Sequence, residues 1–193
     1  KIILDEHEGA LPDDARALLE RVRGASRHME RLIDALLTLS RLTRRTLQTQ
    51  AVDLSHLAQE VAERMGEETD GPPPKVEIEP GLRTEADPYL VEVLMQNLLS
   101  NAFKFTKEGQ APHVEVGQGD GPDGPFFYVR DHGVGFPSQH AEKLFNPFQR
   151  LHGEGFSGTG IGLATAQRIV SRHGGSIWAE GEVNQGATIC FTL

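Results

Sequence analysis

Three polar side chains on one predicted helix have types and spacing that suit a chemical task. Asn97, Asn101 and Lys104 fall at i, i+4 and i+7 of a leucine-rich stretch, so on an α-helix they share one face. Carboxamide oxygens suit Mg²⁺, which keeps several waters while it holds phosphate, and a lysine ammonium attracts phosphate oxygens. The stripe predicts a magnesium-phosphate ligand, although a solvated helix face would explain the same residues.

A second candidate group follows an apolar strand, in the sequence DHGVG at 131–135. The spaced glycines Gly133 and Gly135 permit a sharp turn and a close approach of the backbone to a ligand. Asp131 would then face a pocket, where its carboxylate can accept a hydrogen bond from an exocyclic amine such as adenine N6. An ordinary aspartate-containing turn is the alternative interpretation.

Three spaced glycines lead into another predicted helix, at Gly158, Gly160 and Gly162. A glycine loop at a helix N-terminus presents backbone N–H groups and the positive end of the helix dipole to phosphate. No GK[ST] follows, and the GxGxxG spacing is absent, so the Walker A and Rossmann phosphate motifs are both excluded.

The segment between the two glycine motifs, residues 136–157, mixes aromatic, basic and glycine residues with little regular pattern. A stretch of this kind inside a compact domain is usually a lid or a disordered segment. We expect Phe145, Pro147 and Phe148 to dock it on the protein while Arg150 reaches phosphate. A solvated surface charge is the alternative for Arg150.

The elements that must position these groups begin with a heptad repeat. Its apolar positions advance in alternating steps of 4 and 3, at Leu18, Val22, Ala25, Met29, Leu32, Leu36 and Leu39. Three further apolar side chains widen the stripe, which predicts a helix at about 13–47 in a four-helix bundle, within one chain or across a homodimer. A single amphipathic helix lying on its own domain is the alternative. The turn-forming sequence EGALPDD precedes the helix, so residues 1–7 would end an earlier one.

Alternating helix and strand signals follow the heptad. Asp53 and Asp87 are candidate N-caps of two helices, and Gly174 is a candidate C-cap of a third. Predicted strands lie at 76–79, 113–119, 125–131, 176–182 and 186–193. Because most strands occur in hairpin-like order, we predict an α/β sandwich, a mixed and mostly antiparallel sheet covered by helices. We divide the chain into a partial helical hairpin, 1–50, and a second domain, 51–193.

Bulk composition narrows the choice of partners. The formal charge of -9 over 193 residues would repel a nucleic-acid backbone, so we expect no nucleic-acid partner. The single cysteine, Cys190, excludes an intrachain disulfide framework and a CxxC metal site, and it fits a reducing compartment. No apolar run approaches the roughly 20 residues of a membrane span. We therefore expect a cytoplasmic chain without membrane contact, and we allow for a longer protein, membrane-anchored or soluble.

In this order, the motifs resemble the catalytic and ATP-binding domain of sensor histidine kinases. NLLSNAFKF resembles the N box, DHGVG the G1 box, LFNPF the F box, GTGIGL the G2 box and GATICF the last glycine box. The match covers about 53–193, and the wording from NPFQRLHG to SRHGG is similar to the phytochrome-like branch. The resemblance implies the Bergerat-type α/β sandwich shared with gyrase and MutL, and makes the heptad the second helix of a dimerisation and phosphotransfer hairpin.

The resemblance implies roles for residues near the phosphates. Asn101 would ligate Mg²⁺, Asn97 would contact the triphosphate and position the transferring group, and Lys104 would bind phosphate. Arg150 would belong to the same ATP site. The hinge and phosphate wall of the lid would consist of Gly158, Thr159, Gly160, Ile161, Gly162 and Leu163.

The resemblance also implies an adenine pocket. Asp131, with Gly133 and Gly135 behind it, would bind the base, and Thr188 would close the pocket through water. His132 departs from the commoner asparagine of the G1 box, a change that we expect the turn to tolerate.

The phosphate acceptor is the main departure from the family pattern. Members place it in an H box that reads His, acidic, Leu, Arg, any, Pro. The segment from His7 to Pro12 has His, Glu and Pro at that spacing, but Gly9 and Pro12 would break the helix, and the Leu and Arg are absent. We therefore identify no phosphoacceptor in this chain. We interpret His28 as bundle packing, and four others as surface or loop residues with no ligand spacing among them, namely His113, His140, His152 and His173.

The resemblance predicts an enzyme that binds ATP and Mg²⁺ and transfers the γ-phosphoryl group to a histidine. An aspartate on a response regulator receiver domain would receive the phosphate next. Positioning, together with charge neutralisation by Mg²⁺ and Lys104, would drive the transfer. Two alternatives are a nucleotide-binding pseudokinase scaffold that transfers nothing and a gyrase-like or MutL-like ATPase that releases free phosphate.

Overall fold

A computed structural model describes residues 12–44, 46–67, 72–149 and 159–193. The chain enters through a long helix, α1 (Asp13–Arg44), which occupies most of the range that the heptad predicts. The predictions made for His7, His152, Arg150, Gly158 and the segment 1–7 lie outside the described residues.

Helices and strands then alternate through the rest of the chain. In order they are β1 (Gln50–Asp53), α2 (Leu54–Glu67), β2 (Lys75–Ile78), β3 (Arg83–Ala86), α3 (Pro88–Lys104), β4 (His113–Gly121), β5 (Gly124–Asp131), a 3-10 helix (Ser138–Phe145), α4 (Gly162–Arg172), β6 (Ile177–Glu182) and β7 (Gly186–Phe191). Five strands form one sheet in the order β2-β4-β5-β7-β6, and only the β2–β4 pair is parallel. The predicted mixed, mostly antiparallel sheet with helices is confirmed.

The core lies between one face of this sheet and the helices. Alternate strand residues, among them Val114, Val129 and Phe191, are buried with the apolar face of α3. Burying one such side chain contributes about 1.5–3 kcal/mol. The intervening residues, such as Glu115 and Arg130, lie on the opposite face, called the outer face below. Neighbouring residues in a strand therefore serve different surfaces of the molecule.

A buried carboxylate joins the start of α3 to two distant segments. Asp87 is 0% exposed and caps the helix, accepting hydrogen bonds from the backbone N–H of Leu90 at 3.3 Å and of Gln48 at 3.0 Å. Its own N–H donates to His173 Nε2 at 3.0 Å, just beyond the end of α4. His173 thus lies in the turn after α4, as expected of a loop residue, but it is half-buried and hydrogen-bonded inside the domain, so it is not an exposed surface residue.

Two further features were not predicted. The strands β1 and β3 pair in a separate two-stranded antiparallel sheet. They were not predicted because strands of four residues are too short to show a clear alternation of apolar and polar residues. The 3-10 helix lies inside the segment 136–157 that we expected to lack regular structure, and it packs against β6 and α4. Phe145 at its end is 6% exposed, so the predicted docking of this aromatic residue is confirmed. The same prediction was wrong for Pro147 and Phe148, which are exposed in the chain segment that follows the 3-10 helix.

One stripe of α1 is left uncovered by the described residues. Five of its large apolar side chains are between 48 and 66% exposed: Leu18, Val22, Met29, Ile33 and Leu37. The helix contacts α4, but that contact leaves this stripe in solvent. Within the described ranges, none of the helices has the length and apolar content needed to cross a bilayer.

Candidate nucleotide-binding site

Helix α3 separates its side chains into a core face and a pocket face. Leu94, Leu98 and Ala102 are at most 3% exposed, whereas Asn97 and Asn101 are only half-buried. Asn97 Nδ2 donates a hydrogen bond to the carbonyl oxygen of Val93, one turn earlier, at 2.7 Å. That bond orients the amide so that its oxygen points away from the helix axis and towards the start of α4.

The first residue of α4 lies against these amides. A Cβ atom placed on Gly162 would be 2.9 Å from Asn97 Oδ1 and 4.0 Å from Asn101 Nδ2. Two motifs that are far apart in the sequence are therefore neighbours, as the predicted site requires. The positive end of a helix dipole favours an anion beside it, so this junction suits a phosphate group.

The glycine loop before α4 is tied by its backbone to the segment after the 3-10 helix. The N–H of Phe148 donates to the carbonyl oxygen of Gly160 at 2.9 Å. Gly160 has φ +73°, and a Cβ there would lie 3.0 Å from the carbonyl carbon of Phe148, so glycine is the residue that fits. Ile161 is buried, its N–H approaches Thr159 Oγ1 at 3.4 Å, and Leu163 packs against the core.

Asp131 stands at the end of β5 with one carboxylate oxygen already engaged. Its Oδ1 accepts hydrogen bonds from the N–H of Gly133 at 2.9 Å and from the N–H of Ala187 at 3.3 Å. Among the described residues, no donor reaches the second oxygen, Oδ2. A held but incompletely used carboxylate fits the amine edge of a purine, which would donate to it.

Burial raises the pKa of the Asp131 carboxyl above its ordinary value, and the two backbone hydrogen bonds and nearby His132 oppose that rise. A raised pKa means that the ionised carboxylate costs folding free energy at neutral pH. The corresponding stability is present below the unfolded-state pKa and is lost as the pH rises through the folded-state value.

The loop after Asp131 is enclosed by backbone on two sides. A Cβ on Gly133 would overlap the carbonyl oxygen of Phe105, and one on Gly135, at φ +60°, would overlap that of Glu182. Val134 links the two walls, since its N–H donates to Phe105 at 2.9 Å and its carbonyl accepts from Asn184 at 2.8 Å. Both glycines are therefore needed for close packing as well as for the turn.

Lys104 and Thr188 are the remaining predicted site residues that the structure describes. Lys104 is on the last turn of α3, with Nζ 4.2 Å from the ring centroid of Phe105. Thr188 pairs with Arg130 across the strands, and Arg130 Nε donates to its hydroxyl at 3.2 Å on the outer face. The structure thus does not bring Thr188 to the adenine side of the sheet. Ala187 occupies the position opposite Asp131.

Residues 86–193 match the family of histidine kinase-, DNA gyrase B- and HSP90-like ATPases. The chain belongs to this family of ATPases.

Its relatives within that family include sensor histidine kinases and phytochromes. Cyanobacterial phytochrome B from Nostoc sp. is 37% identical over 182 residues, which are 91% of this chain and 24% of the phytochrome. The structure of full-length ShkA in complex with AMPPNP matches with a TM-score of 0.68 and 26% identity, over 96% of this chain and 40% of ShkA. The catalytic domain of the histidine kinase ThkA matches with a TM-score of 0.58 and 27% identity, over 75% and 93%. The chain spans about a quarter of the length of the curated phytochrome relative.

Sequence reasoning missed several partners of this ATPase-family site. The backbone N–H of Ala187 donates to Asp131, and the backbone carbonyl of Val93 accepts from Asn97. Every residue has such backbone groups, so the sequence does not indicate which of them become partners. His113 and His132 are stacked with ring centroids 4.5 Å apart. Our prediction found no ligand spacing among His113, His140, His152 and His173, and it did not consider this pair. Strands at 113–119 and 125–131 were predicted, but the register that brings the two histidines together was not.

We expect Asp131→Asn to separate stability from binding. The amide oxygen can still accept from Gly133 and Ala187, while the burial cost of a charge is removed. The free energy of unfolding at pH 7, from urea titration, should be equal or higher, and the difference should vanish below the unfolded-state pKa of about 3.9. Affinity for ADP by calorimetry should fall by about 2 kcal/mol, roughly 30-fold. Asp123→Asn, at an exposed turn, is the control, and equal ADP affinity in the two variants would contradict the role of Asp131.

We expect Gly162→Ala to fold normally but to bind nucleotide poorly. Alanine is the better helix former, yet the new methyl group would force Asn97 to move. Calorimetry with ADP and Mg²⁺ should show a loss of about tenfold, the worth of one well-placed hydrogen bond. Gly24→Ala makes the same change in α1, where a Cβ meets nothing within 4 Å, and should leave affinity unchanged. Undiminished binding by Gly162→Ala would refute the contact.

Proposed function

We propose that this chain is the ATP-binding catalytic part of a sensor histidine kinase, and that it transfers the γ-phosphoryl group of Mg-ATP to a histidine. The observation that carries the proposal is the close approach of Gly162, at the start of α4, to the side-chain amides of Asn97 and Asn101 on α3. This approach supports the proposal because the two predicted phosphate-binding elements are then neighbours. Membership of the ATPase family and the nucleotide-bound ShkA relative support the same activity.

The phosphate end of the site would work by positioning and charge. Asn101 would offer its amide oxygen to Mg²⁺, and Asn97, held by its bond to Val93, would orient the phosphate that is transferred. Lys104 at the end of the same helix would attract phosphate oxygens. Mg²⁺, when bound, supplies the charge neutralisation that phosphoryl transfer needs. The lid over the phosphates would be lined by Thr159, Gly160, Ile161 and Leu163, together with Arg150 and Gly158.

The base end would recognise adenine. Asp131 would accept a hydrogen bond from the exocyclic amine, and the close packing around Gly133 and Gly135 would hold that carboxylate in place. A fixed acceptor discriminates against a base that presents a carbonyl oxygen there, because the buried carboxylate would then lack a donor.

The histidine acceptor and the next recipient are proposed from the family alone. A histidine on the partner helix of the hairpin would take the phosphoryl group, and a response regulator receiver domain would receive it. Free phosphate release, as in a gyrase-like ATPase, is less favoured because the similar proteins named above are sensor kinases or phytochromes.

We expect Asn101→Ala to abolish nucleotide use that depends on Mg²⁺, because it removes the proposed metal ligand without touching the core. The test combines calorimetry, with AMPPNP and Mg²⁺, and transfer of label from ATP to an acceptor hairpin supplied in trans. Ser100→Ala, at an exposed position of the same helix, is the matched control and should behave as the parent does. Full transfer by Asn101→Ala would remove the metal assignment, and binding by the parent without any transfer would favour the pseudokinase scaffold.

We also propose that the uncovered stripe of α1 pairs with a second copy of the chain. We expect Met29→Lys to convert the dimer to monomers, because it places an ammonium in the middle of that stripe, where Met29 is now 57% exposed. Light scattering measures the mass directly. Glu30→Lys adds a lysine to the next, exposed position and should leave the mass unchanged. An unchanged mass for Met29→Lys would contradict the dimer.

A further inference from the structure

The outer face of the sheet carries a second group of chemically capable side chains, which nucleotide binding does not use. His113 and Glu115 lie on β4, and His132 follows the end of β5. One ligand atom from each residue lies within 4.8 Å of the others. In the part of the chain that the structure describes, no other set of three His, Cys, Asp or Glu side chains meets this spacing.

The strand register builds this cluster. Val114 pairs with Asp131 in the antiparallel hairpin, which brings the next residue, His132, beside His113. The N–H of His132 donates to the carbonyl oxygen of His113 at 3.3 Å, and the two rings stack with an interplanar angle of 19°. Both imidazoles are therefore held by paired backbone, so little conformational entropy would be lost when they bind a common ligand.

The three candidate ligands are oriented by a contact between two of them and by two neighbouring side chains, Arg130 and Glu77. Glu115 Oε1 lies 2.7 Å from His132 Nε2, while its other oxygen, Oε2, lies 3.5 Å from Arg130 Nη1. Glu77 on the neighbouring strand β2 lies 3.1 Å from His113 Nε2. Carboxylates that orient ligating histidines, and donors that orient ligating carboxylates, are the usual outer partners of a protein metal site.

We propose that His113, Glu115 and His132 form a binding site for a divalent transition-metal ion, with Zn²⁺ as the best fit. Two imidazole nitrogens and one carboxylate oxygen suit Zn²⁺, whereas Mg²⁺ and Ca²⁺ prefer oxygen ligands alone. Zn²⁺ bonds of about 2.0–2.2 Å place tetrahedral ligand atoms about 3.4 Å apart. The 2.7 Å pair must open slightly and the wider pairs must close, which rotations of these partly exposed side chains can accomplish.

The site is open and separate from the nucleotide pocket. Three protein ligands leave a fourth position for water or for a further ligand, as in zinc sites that are not purely structural. His132 adjoins Asp131, but the two side chains lie on opposite faces, so metal binding requires no nucleotide and no Mg²⁺. A bound ion would tie β4 to the loop that carries Gly133 and Gly135.

The test uses the full 193-residue chain without any tag, in nucleotide-free buffer that contains excess Mg²⁺. Zn²⁺ titration by calorimetry should show one ion per chain at this site, and a thermal melt should show a higher Tm with Zn²⁺. His113→Ala, His132→Asn and Glu115→Gln should each weaken binding by at least about tenfold, the smallest loss expected when even an outer partner is removed. His132→Asn removes the imidazole ligand while keeping a polar side chain beside Glu115.

The matched control is His56→Ala. His56 pairs with Glu60 at 3.4 Å on the exposed face of α2, so it is a surface His–Glu pair without a third ligand, and its loss should leave the Zn²⁺ affinity unchanged. Absorption of Co²⁺ in the parent protein is a second readout that needs no variant, and it should report a four-coordinate nitrogen and oxygen site. The proposal is overturned if the parent binds no Zn²⁺, or if the three site variants bind as tightly as His56→Ala.

Discussion

The close packing of backbone around Asp131 is the constraint on which the rest of the site depends. Cβ atoms on Gly133, Gly135 and Gly186 would each overlap a carbonyl oxygen, from Phe105, Glu182 and Asp131 respectively. Because glycine has no Cβ, three segments can approach one another and exchange hydrogen bonds. They are the end of α3, the end of β5 and the β6–β7 hairpin. The carboxylate is thereby held beside the helix that carries Asn97 and Asn101, at the cost of the desolvation that raises its pKa.

Helix α3 serves the core and the pocket at the same time. Its leucine face anchors it between α2, α4 and the sheet, and its fully buried cap, Asp87, ties its start to His173. A helix so firmly held can present half-buried amides without being displaced by a charged ligand. The same rigidity would suit the proposed phosphoryl transfer, which depends chiefly on positioning.

At the end of β5, the two faces of the sheet carry different functional groups. The side chains of successive strand residues point to opposite faces of the sheet. Asp131 therefore faces the helices, whereas Arg130 and His132 lie on the outer face, where both approach Glu115. The paired histidines on the outer face depend on His132, the residue that directly follows Asp131 in the chain.

The sequence by itself determined the elements whose signals are local. Local features could be predicted because each depends on residues within a few positions of one another. They are the N-caps Asp53 and Asp87, the helix-terminating Gly174, the apolar face of α3 and the order of the glycine motifs. The sequence predicted the site residues as separate motifs but not their contacts. Only the tertiary structure placed Gly162 against Asn97, joined His173 to Asp87, stacked His113 on His132 and turned Thr188 outwards. Those outcomes follow from strand register and helix packing between distant segments, where a shift of one residue moves a side chain to the other face.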